Sequence, residues 1–387
     1  MKNFKMDFAR EPYIVIWEMT RACDLACRHC RAQAIPDRSP GELTTAQGRA
    51  LLDEIARFGQ PVVVLTGGDP LKRPDTFELI AHGAAAGLRM TMTPSGTPLM
   101  NSAALVKGQL SGLSRLAVSL DASTAEAHDA FRGVAGSFDW SVKMLREARR
   151  IGLSTQVNST ISRATIGDFD RMARLVEELG VALWSVFFLV PTGRGRPEDE
   201  VTAAEYEEVF ARMHALARRV PFDIKSTAAP HYRRYVLQQE VAARRTGTAP
   251  LSADGIGRAA RGVNDAAGFV FISHTGEICP SGFLPVSAGN VKTDSLVTVY
   301  RESPLFVSLR DPDRLKGKCG VCEYRRVCGG SRARAYAMTG DALESEPFCA
   351  YVPPAYAQQV AEGRAEPVEE YFRRRFAPVA PALLQVK

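Results

Sequence analysis

The run TRACDLACRHC, residues 20–30, sets Cys23, Cys27 and Cys30 at the spacing CxxxCxxC. Three thiolates so spaced can hold three corners of a cubane [4Fe–4S] cluster and leave the fourth iron open. An open iron can bind and activate a small molecule, whereas a cluster with four cysteine ligands mainly carries electrons. Zinc normally recruits four ligands, often as two close pairs. This triplet has no fourth cysteine nearby, and His29 lies between two of its members. The segment reads as redox or radical chemistry rather than as a structural metal site.

The triplet follows an apolar run at 13–17, the first of six candidate strands. The others are 61–66, 89–93, 115–121, 154–160 and 183–190. Helix-period segments at 44–58, 75–86, 138–151 and 166–179 separate most of them. In the first, Leu51, Leu52 and Ile55 repeat at helical spacing behind a capping Thr44. Strands alternating with helices predict an α/β fold with a parallel sheet and right-handed crossovers. The sheet is either an incomplete barrel or a doubly wound open sheet, and in both the functional groups gather at the carboxyl ends of the strands. The cysteine run falls at that edge. Beyond it, 203–220 and 231–245 read as helices and 255–268 as a glycine-rich loop carrying Arg258 and Arg261. Segments 269–273 and 277–279 read as a small hairpin, and 355–366 as a helix in the tail.

The 387 residues suffice for two or three domains, or for one barrel with an appended module. Hydrophobic content of 45% and charged content of 24% are those of an ordinary globular protein. No apolar stretch approaches the roughly 20 residues that a membrane-spanning helix needs, and the N-terminus has no apolar core of a signal peptide. A cytoplasmic location follows, where eight cysteines are better suited to metal ligation than to disulfides. The net charge of +6 is spread along the chain without a nucleic-acid-binding motif, so nucleic acid is not an expected partner.

A second cysteine group lies in KCGVCEYRRVCGGSRARAYAMTGDALESEPFC, residues 318–349. Cys319, Cys322, Cys328 and Cys349 suit either a closed [4Fe–4S] cluster or a structural zinc, and spacing alone does not choose. The first motif favours iron. Cys279 stands apart, and a lone cysteine is more often a small apolar residue than a ligand.

These residues together resemble the radical S-adenosylmethionine (SAM) superfamily. CxxxCxxC after the first strand is similar to that family's cluster loop, and Gly67-Gly68-Asp69-Pro70 to its GGEP motif, with Asp for Glu. Ser119-Leu120-Asp121 and Arg132-Gly133 with Gly136-Ser137-Phe138 resemble its SLDG and RG…GSF elements. His29 stands where the family has an aromatic residue against the adenine, and Ser95 where a TNG-like turn has Asn. The distal group resembles a SPASM/Twitch extension, and its sequence is most similar to the subgroup of alternative haem synthases and related tetrapyrrole-maturing enzymes.

The resemblance implies a partial (β/α)6 TIM-like barrel over 1–200, a connector and substrate-side loop over 201–268, a small iron–sulfur domain over 269–352 and a tail over 353–387. It implies a SAM-binding [4Fe–4S] cluster on Cys23, Cys27 and Cys30, with Gly67, Gly68, Asp69, Pro70, Ser95, Ser119, Asp121 and His29 around SAM. One auxiliary [4Fe–4S] cluster falls to Cys319, Cys322, Cys328 and Cys349. A second auxiliary cluster is not expected, because Asp294 and Arg332 stand where its cysteines would be. SAM cleavage would yield a 5′-deoxyadenosyl radical that abstracts hydrogen from a tetrapyrrole or similar small molecule, with a flavodoxin- or ferredoxin-type electron donor. Arg258, Arg261, Arg332 and Arg334 are candidates for pairing with substrate carboxylates. His274, His231 and His29 are conceivable haem-iron ligands, though a structural role suits each better. A peptide-modifying maturase is the alternative; the first strand begins near Pro12, which weighs against an appended peptide-recognition domain. An electron-transfer protein is a third reading, opposed by the open triplet and the GGDP segment.

Overall fold

The computed structural model describes residues 6–245 and 262–375; Arg258 and Arg261 lie outside them. Strands β1 (Ile14–Thr20), β2 (Val62–Gly67), β3 (Arg89–Met92), β4 (Arg115–Ser119), β5 (Ser154–Ile161) and β6 (Leu183–Phe188) occupy the six segments read from the sequence. With β7 (Asp223–Thr227), β8 (Phe269–Ile272) and β9 (Ile278–Cys279) they form one sheet in the order β7-β6-β5-β4-β3-β2-β1-β8-β9. Each described pairing is parallel except β8 with β9.

From β1 to β7 the order is sequential and never reverses. A doubly wound sheet needs a reversal, so the incomplete barrel is the architecture that forms. The intervening helices are α1 (Thr45–Ala56), α2 (Thr76–Ala85), α3 (Ser102–Leu110), α4 (Ala125–Arg132), α5 (Ser137–Arg150) and α6 (Phe169–Leu179). Thr44 caps α1 in a capping box with Gln47. A Cβ at Gly48 would fall 2.6 Å from the Trp17 ring, so glycine lets α1 press directly on β1.

The segment read as two helices beyond residue 200 also holds a strand. β7 lies between α7 (Ala203–Ala217) and α8 (His231–Arg245). Its sequence DIKST is short, polar and half-buried, so it carries no clear period-2 signal and forms by pairing with β6. Later helices include α9 (Leu296–Glu302), α10 (Pro304–Arg310), α11 (Gly317–Gly320) and α12 (Arg332–Thr339). The β8–β9 hairpin continues the main sheet, with β8 seated beside β1. Tyr300 on α9 ties this region down, donating to the Phe8 carbonyl (2.7 Å) and accepting from the Gly268 N–H (3.1 Å).

β5 shows how the sheet divides its faces. Thr155, Val157, Ser159 and Ile161 are buried, while Gln156, Asn158 and Thr160 alternate with them and stay half-buried. The strand register carries the inner face across as Ser119, Asn158, Ser185 and Lys225. A polar inner row suits a ligand chamber rather than a sealed core. Among the described residues no helix is long and apolar enough to cross a membrane.

Candidate active site

The cysteine run leaves the carboxyl end of β1 and folds back over it. Cys23 and Cys27 are buried and Cys30 is half-buried, gathered with Leu25, Ala34 and Val134 in an apolar cluster separate from the main core. Donors reach each sulfur. The Leu25 N–H lies 3.3 Å from the Cys23 sulfur, the Ala34 N–H 3.4 Å from that of Cys30, and the Arg132 guanidinium 3.6 Å from that of Cys27. The Ser95 hydroxyl is 3.2 Å from Cys23 and 3.2 Å from the Gly68 carbonyl oxygen. Thiolates bound to an iron cluster accept such hydrogen bonds, so the three residues fit the group the sequence implied.

GGDP packs its backbone against the chain entering the triplet. Gly68 N–H donates to the Thr20 carbonyl (2.8 Å) and Asp69 N–H to that of Ala22 (2.7 Å). A Cβ at Gly67 would stand 2.3 Å from the Thr20 oxygen, and one at Gly68 2.3 Å from the Ala22 oxygen, so only glycine fits either place. Asp69 is buried and accepts from the Leu71 N–H and the Thr97 hydroxyl, both at 3.1 Å; burial pushes its carboxyl up to about 6. It caps the short 3₁₀ turn that begins at Pro70, and Lys72 in that turn pairs with Asp24 in the cysteine run (2.5 Å).

Ser119 lies at the inner-face end of β4, opposite Asn158. Asp121 is buried, accepts from the Thr160 N–H (2.8 Å) and pairs with Arg132 (2.5 Å). Against the cost of burial, Asp121 and then Cys27 push the Arg132 guanidinium up. His29 stacks on Phe131 with ring centroids 4.3 Å apart; burial and then the Arg132 charge hold its imidazole down to about 4.

Further groups at this mouth carried no sequence signal. Glu18, on the inner face of β1, sits between Arg31 (2.7 Å) and His274 Nδ1 (2.8 Å). Burial works against that carboxylate, but Arg31 and His274 hold it below the ordinary range. This partner gives His274 a structural role. Arg194, in the TGRGR loop after β6, donates to the Cys27 carbonyl from Nε (2.9 Å) and to the Cys30 carbonyl from its backbone N–H (3.0 Å), strapping the cysteine run from the opposite side.

The distal cysteines converge. Cys319, Cys322, Cys328 and Cys349 line one cavity together with His231, Arg234 and Lys318. The Glu346 and Gly330 N–H groups each lie 3.4 Å from a thiol, those of Cys319 and Cys328. Burial pushes Cys322 up to about 12, and burial with Cys349 raises Cys328 further. No set of three or more His, Cys, Asp or Glu among the described residues is grouped around a point where a single metal ion would sit. A ring of four thiols around a cavity, met by backbone donors, fits a cluster. Cys279 lies elsewhere, buried on β9 opposite Phe271.

Two of the arginines read as substrate partners are engaged within the protein. Arg332 is buried and donates to the Ala342 (2.9 Å) and Glu344 (2.6 Å) carbonyls. Arg334, also buried, spans two parts of the chain. It donates to Glu200 (2.9 Å) and the Leu189 carbonyl (2.7 Å) on the barrel side and to Glu346 (3.3 Å) beside the distal cysteines. Both guanidinium groups are thus spent mainly on acceptors inside the protein, as burial of a charged donor demands. Asp294 accepts from the Asn290 N–H (2.8 Å) and the Thr293 hydroxyl (3.0 Å), closing its own loop.

A sequential parallel partial barrel with three thiols above its first strand defines a class of cluster-bearing α/β proteins. The family model described as the radical SAM superfamily matches residues 17–176. An AdoMet-dependent heme synthase of Methanosarcina barkeri is 40% identical over 343 residues, covering 88% of this chain and 97% of the relative. The chain belongs to the radical SAM superfamily and is an enzyme of it, which implies a [4Fe–4S] cluster and SAM. A more distant relative, the mycofactocin maturase MftC of Mycobacterium ulcerans, is 32% identical over 365 residues, covering 90% of this chain and 91% of the relative. Among solved structures, Streptococcus suis SuiB bound to S-adenosylmethionine shares the fold, with a TM-score of 0.66 at 15% identity over 88% of this chain and 78% of that one.

Proposed function

We propose that this enzyme oxidatively modifies the side chains of a tetrapyrrole, in the cytoplasm. The observation that carries the reading is the likeness to the AdoMet-dependent heme synthase, which covers 88% of this chain and nearly the whole length of that relative. Residues 1–200 supply most of the SAM-cleaving barrel; the connector over 201–268 adds β7 to its sheet and the auxiliary-cluster region over 269–352 adds β8 and β9, so the sheet runs past the boundaries read from the sequence, and 353–387 is a tail.

Cys23, Cys27 and Cys30 hold the first [4Fe–4S] cluster, and Cys319, Cys322, Cys328 and Cys349 the auxiliary one. When bound, the first cluster and SAM supply the electron and the carbon-centred radical that remove a hydrogen atom from an unactivated C–H bond. The chain's own groups prepare the place. Gly67, Gly68, Asp69 and Pro70 offer backbone to the methionine end of SAM, Ser95 bridges that segment to Cys23, and His29 on Phe131 offers a flat face to the adenine. Ser119 and Asn158 lead the polar inner row toward the ligand, while Asp121 acts through Arg132. Restricting water and orienting the substrate carbon fall to the strapped mouth. A flavodoxin- or ferredoxin-type protein supplies electrons.

The test is anaerobic incubation of the reduced, reconstituted enzyme with SAM and tetrapyrroles bearing propionate side chains. Loss of carbon dioxide and two hydrogens per propionate, with one 5′-deoxyadenosine formed per event, supports the reading; SAM cleavage that no tetrapyrrole stimulates or alters overturns it. Peptide maturation is the second reading, favoured by the likeness to the mycofactocin maturase. A precursor-peptide gene beside this one, whose product the enzyme modifies, would establish it.

A further inference from the structure

His231 opens α8 and is fully buried, yet neither ring nitrogen has a hydrogen-bond partner among the described residues. One side of its ring packs on Tyr206 and Phe210, with centroids 5.2 and 4.9 Å away. The imidazole also lines the cavity shared by Cys319, Cys322, Cys328 and Cys349. One helical turn on, Arg234 lines the same cavity; its guanidinium is held by Glu207 (3.0 Å) and Gln238 (2.8 Å), but its Nε has no partner among the described residues. Lys318, which also lines the cavity, is buried too and donates to the Cys349 carbonyl.

Leaving a buried polar group unpaired is costly, so an orphaned imidazole beside four thiols needs an explanation. A neutral imidazole carries one N–H in either tautomer. A four-thiolate [4Fe–4S] cluster is anionic and gains a further negative charge on reduction, and donors to its sulfurs favour the reduced state.

We propose that His231 donates its ring N–H to a sulfur of the cluster held by Cys319, Cys322, Cys328 and Cys349, and that with Arg234 and Lys318 it raises that cluster's reduction potential. This rests on the auxiliary-cluster reading and extends it: the cavity is built to accept an electron, not merely to brace the fold. No step beyond the transfer of one electron is involved, and His231 keeps its proton throughout.

The experiment uses the full chain with Cys23, Cys27 and Cys30 all changed to Ala, reconstituted anaerobically with iron and sulfide. About four irons per chain should remain; an iron-free product overturns the auxiliary-cluster reading itself and is thereby told apart from failure of the inference. In that background, His231→Phe should lower the midpoint potential, measured by an EPR-monitored redox titration. A tenfold change in the reduction equilibrium, 59 mV for a one-electron couple, is the expected size. His231→Gln keeps an N–H donor and should restore much of the shift. Equal potentials for Phe, Gln and the parent overturn the proposal. Should the Phe variant not fold, nitrogen-15 histidine labelling of the parent decides: hyperfine coupling of a histidine nitrogen to the reduced cluster supports the hydrogen bond, and its absence excludes it.

Discussion

Arg132 stands between Asp121 and the triplet: one guanidinium nitrogen is 2.5 Å from the carboxylate and the other 3.6 Å from the Cys27 sulfur. Asp121→Asn should therefore act through Arg132, whose buried charge loses its partner. Breaking such a pair costs about 3–5 kcal/mol. Denaturant unfolding should show that loss, and iron at the triplet should fall with it, while a role confined to SAM contact would leave stability unchanged.

Gly68 has no room for a side chain, since a Cβ would meet the Ala22 and Arg21 carbonyl oxygens at 2.3 and 2.6 Å. Gly68→Ala should push the cysteine run away, cost about 1–3 kcal/mol and weaken SAM binding at least about tenfold, or 1.4 kcal/mol. Gly167→Ala is the control, because none of the described residues lies within 4 Å of its added methyl. Calorimetric titration of SAM against both variants makes the comparison.

Iron and sulfide analysis separates the two cysteine sets. Two cubanes give about eight irons per chain, and changing Cys319, Cys322, Cys328 and Cys349 to Ala should leave about four. That variant should still cleave SAM but form little oxidised product, whereas the Cys23, Cys27 and Cys30 variant should cleave none.

Glu42 ties both ends of the cysteine loop, accepting from Thr20 (2.5 Å) and from the Ser39 N–H (3.2 Å) and pairing with Arg38 (2.6 Å). Burial opposes its charge, but Thr20, Arg38 and Ser39 together hold the carboxyl below its ordinary value. A depressed carboxylate adds stability above its unfolded pKa of about 4.3, and the gain is lost as pH falls through the lower folded value. Thermal unfolding should thus find Glu42→Gln less stable than the parent at neutral pH, with the gap closing below about pH 4. A gap that widens on acidification would contradict the assignment.

Arg334 joins Glu200 and Glu346 with all three side chains buried. Arg334→Met should leave two buried carboxyl groups without their cation, holding only the Tyr206, Ser331 and Phe348 hydrogen bonds, and cost about 3–5 kcal/mol. A substrate-binding arginine would instead raise KM in a protein of normal stability, which steady-state kinetics beside an unfolding curve would reveal.

The first six strands were legible as short β-prone runs, mostly separated by helix-period segments, whereas α3 between β3 and β4 was not read. β7 was not, since DIKST has neither apolar alternation nor turn signals and depends on β6 for its hydrogen bonds. α4 was hidden between the SLD and GSF elements, where its eight residues bury only His128 and Phe131. Arg332 and Arg334 misled for a general reason: charge in a sequence suggests a surface or a ligand, and only packing reveals one spent on buried acceptors.

By itself the sequence determined the chemistry. The spacing of CxxxCxxC points to a cluster with an open iron, and the resemblance of that run, GGDP and the distal cysteine quartet to the radical SAM superfamily implies SAM cleavage. The tertiary structure decided what surrounds those thiols: that Arg132 and Arg194 brace the triplet, that Arg334 bridges the barrel to the quartet, and that His231 reaches its cavity. Those pairings join residues far apart in the chain, from Cys27 to Arg194 and from Leu189 to Arg334. Their partners are set by the order and curvature of the sheet, which no short stretch of sequence encodes.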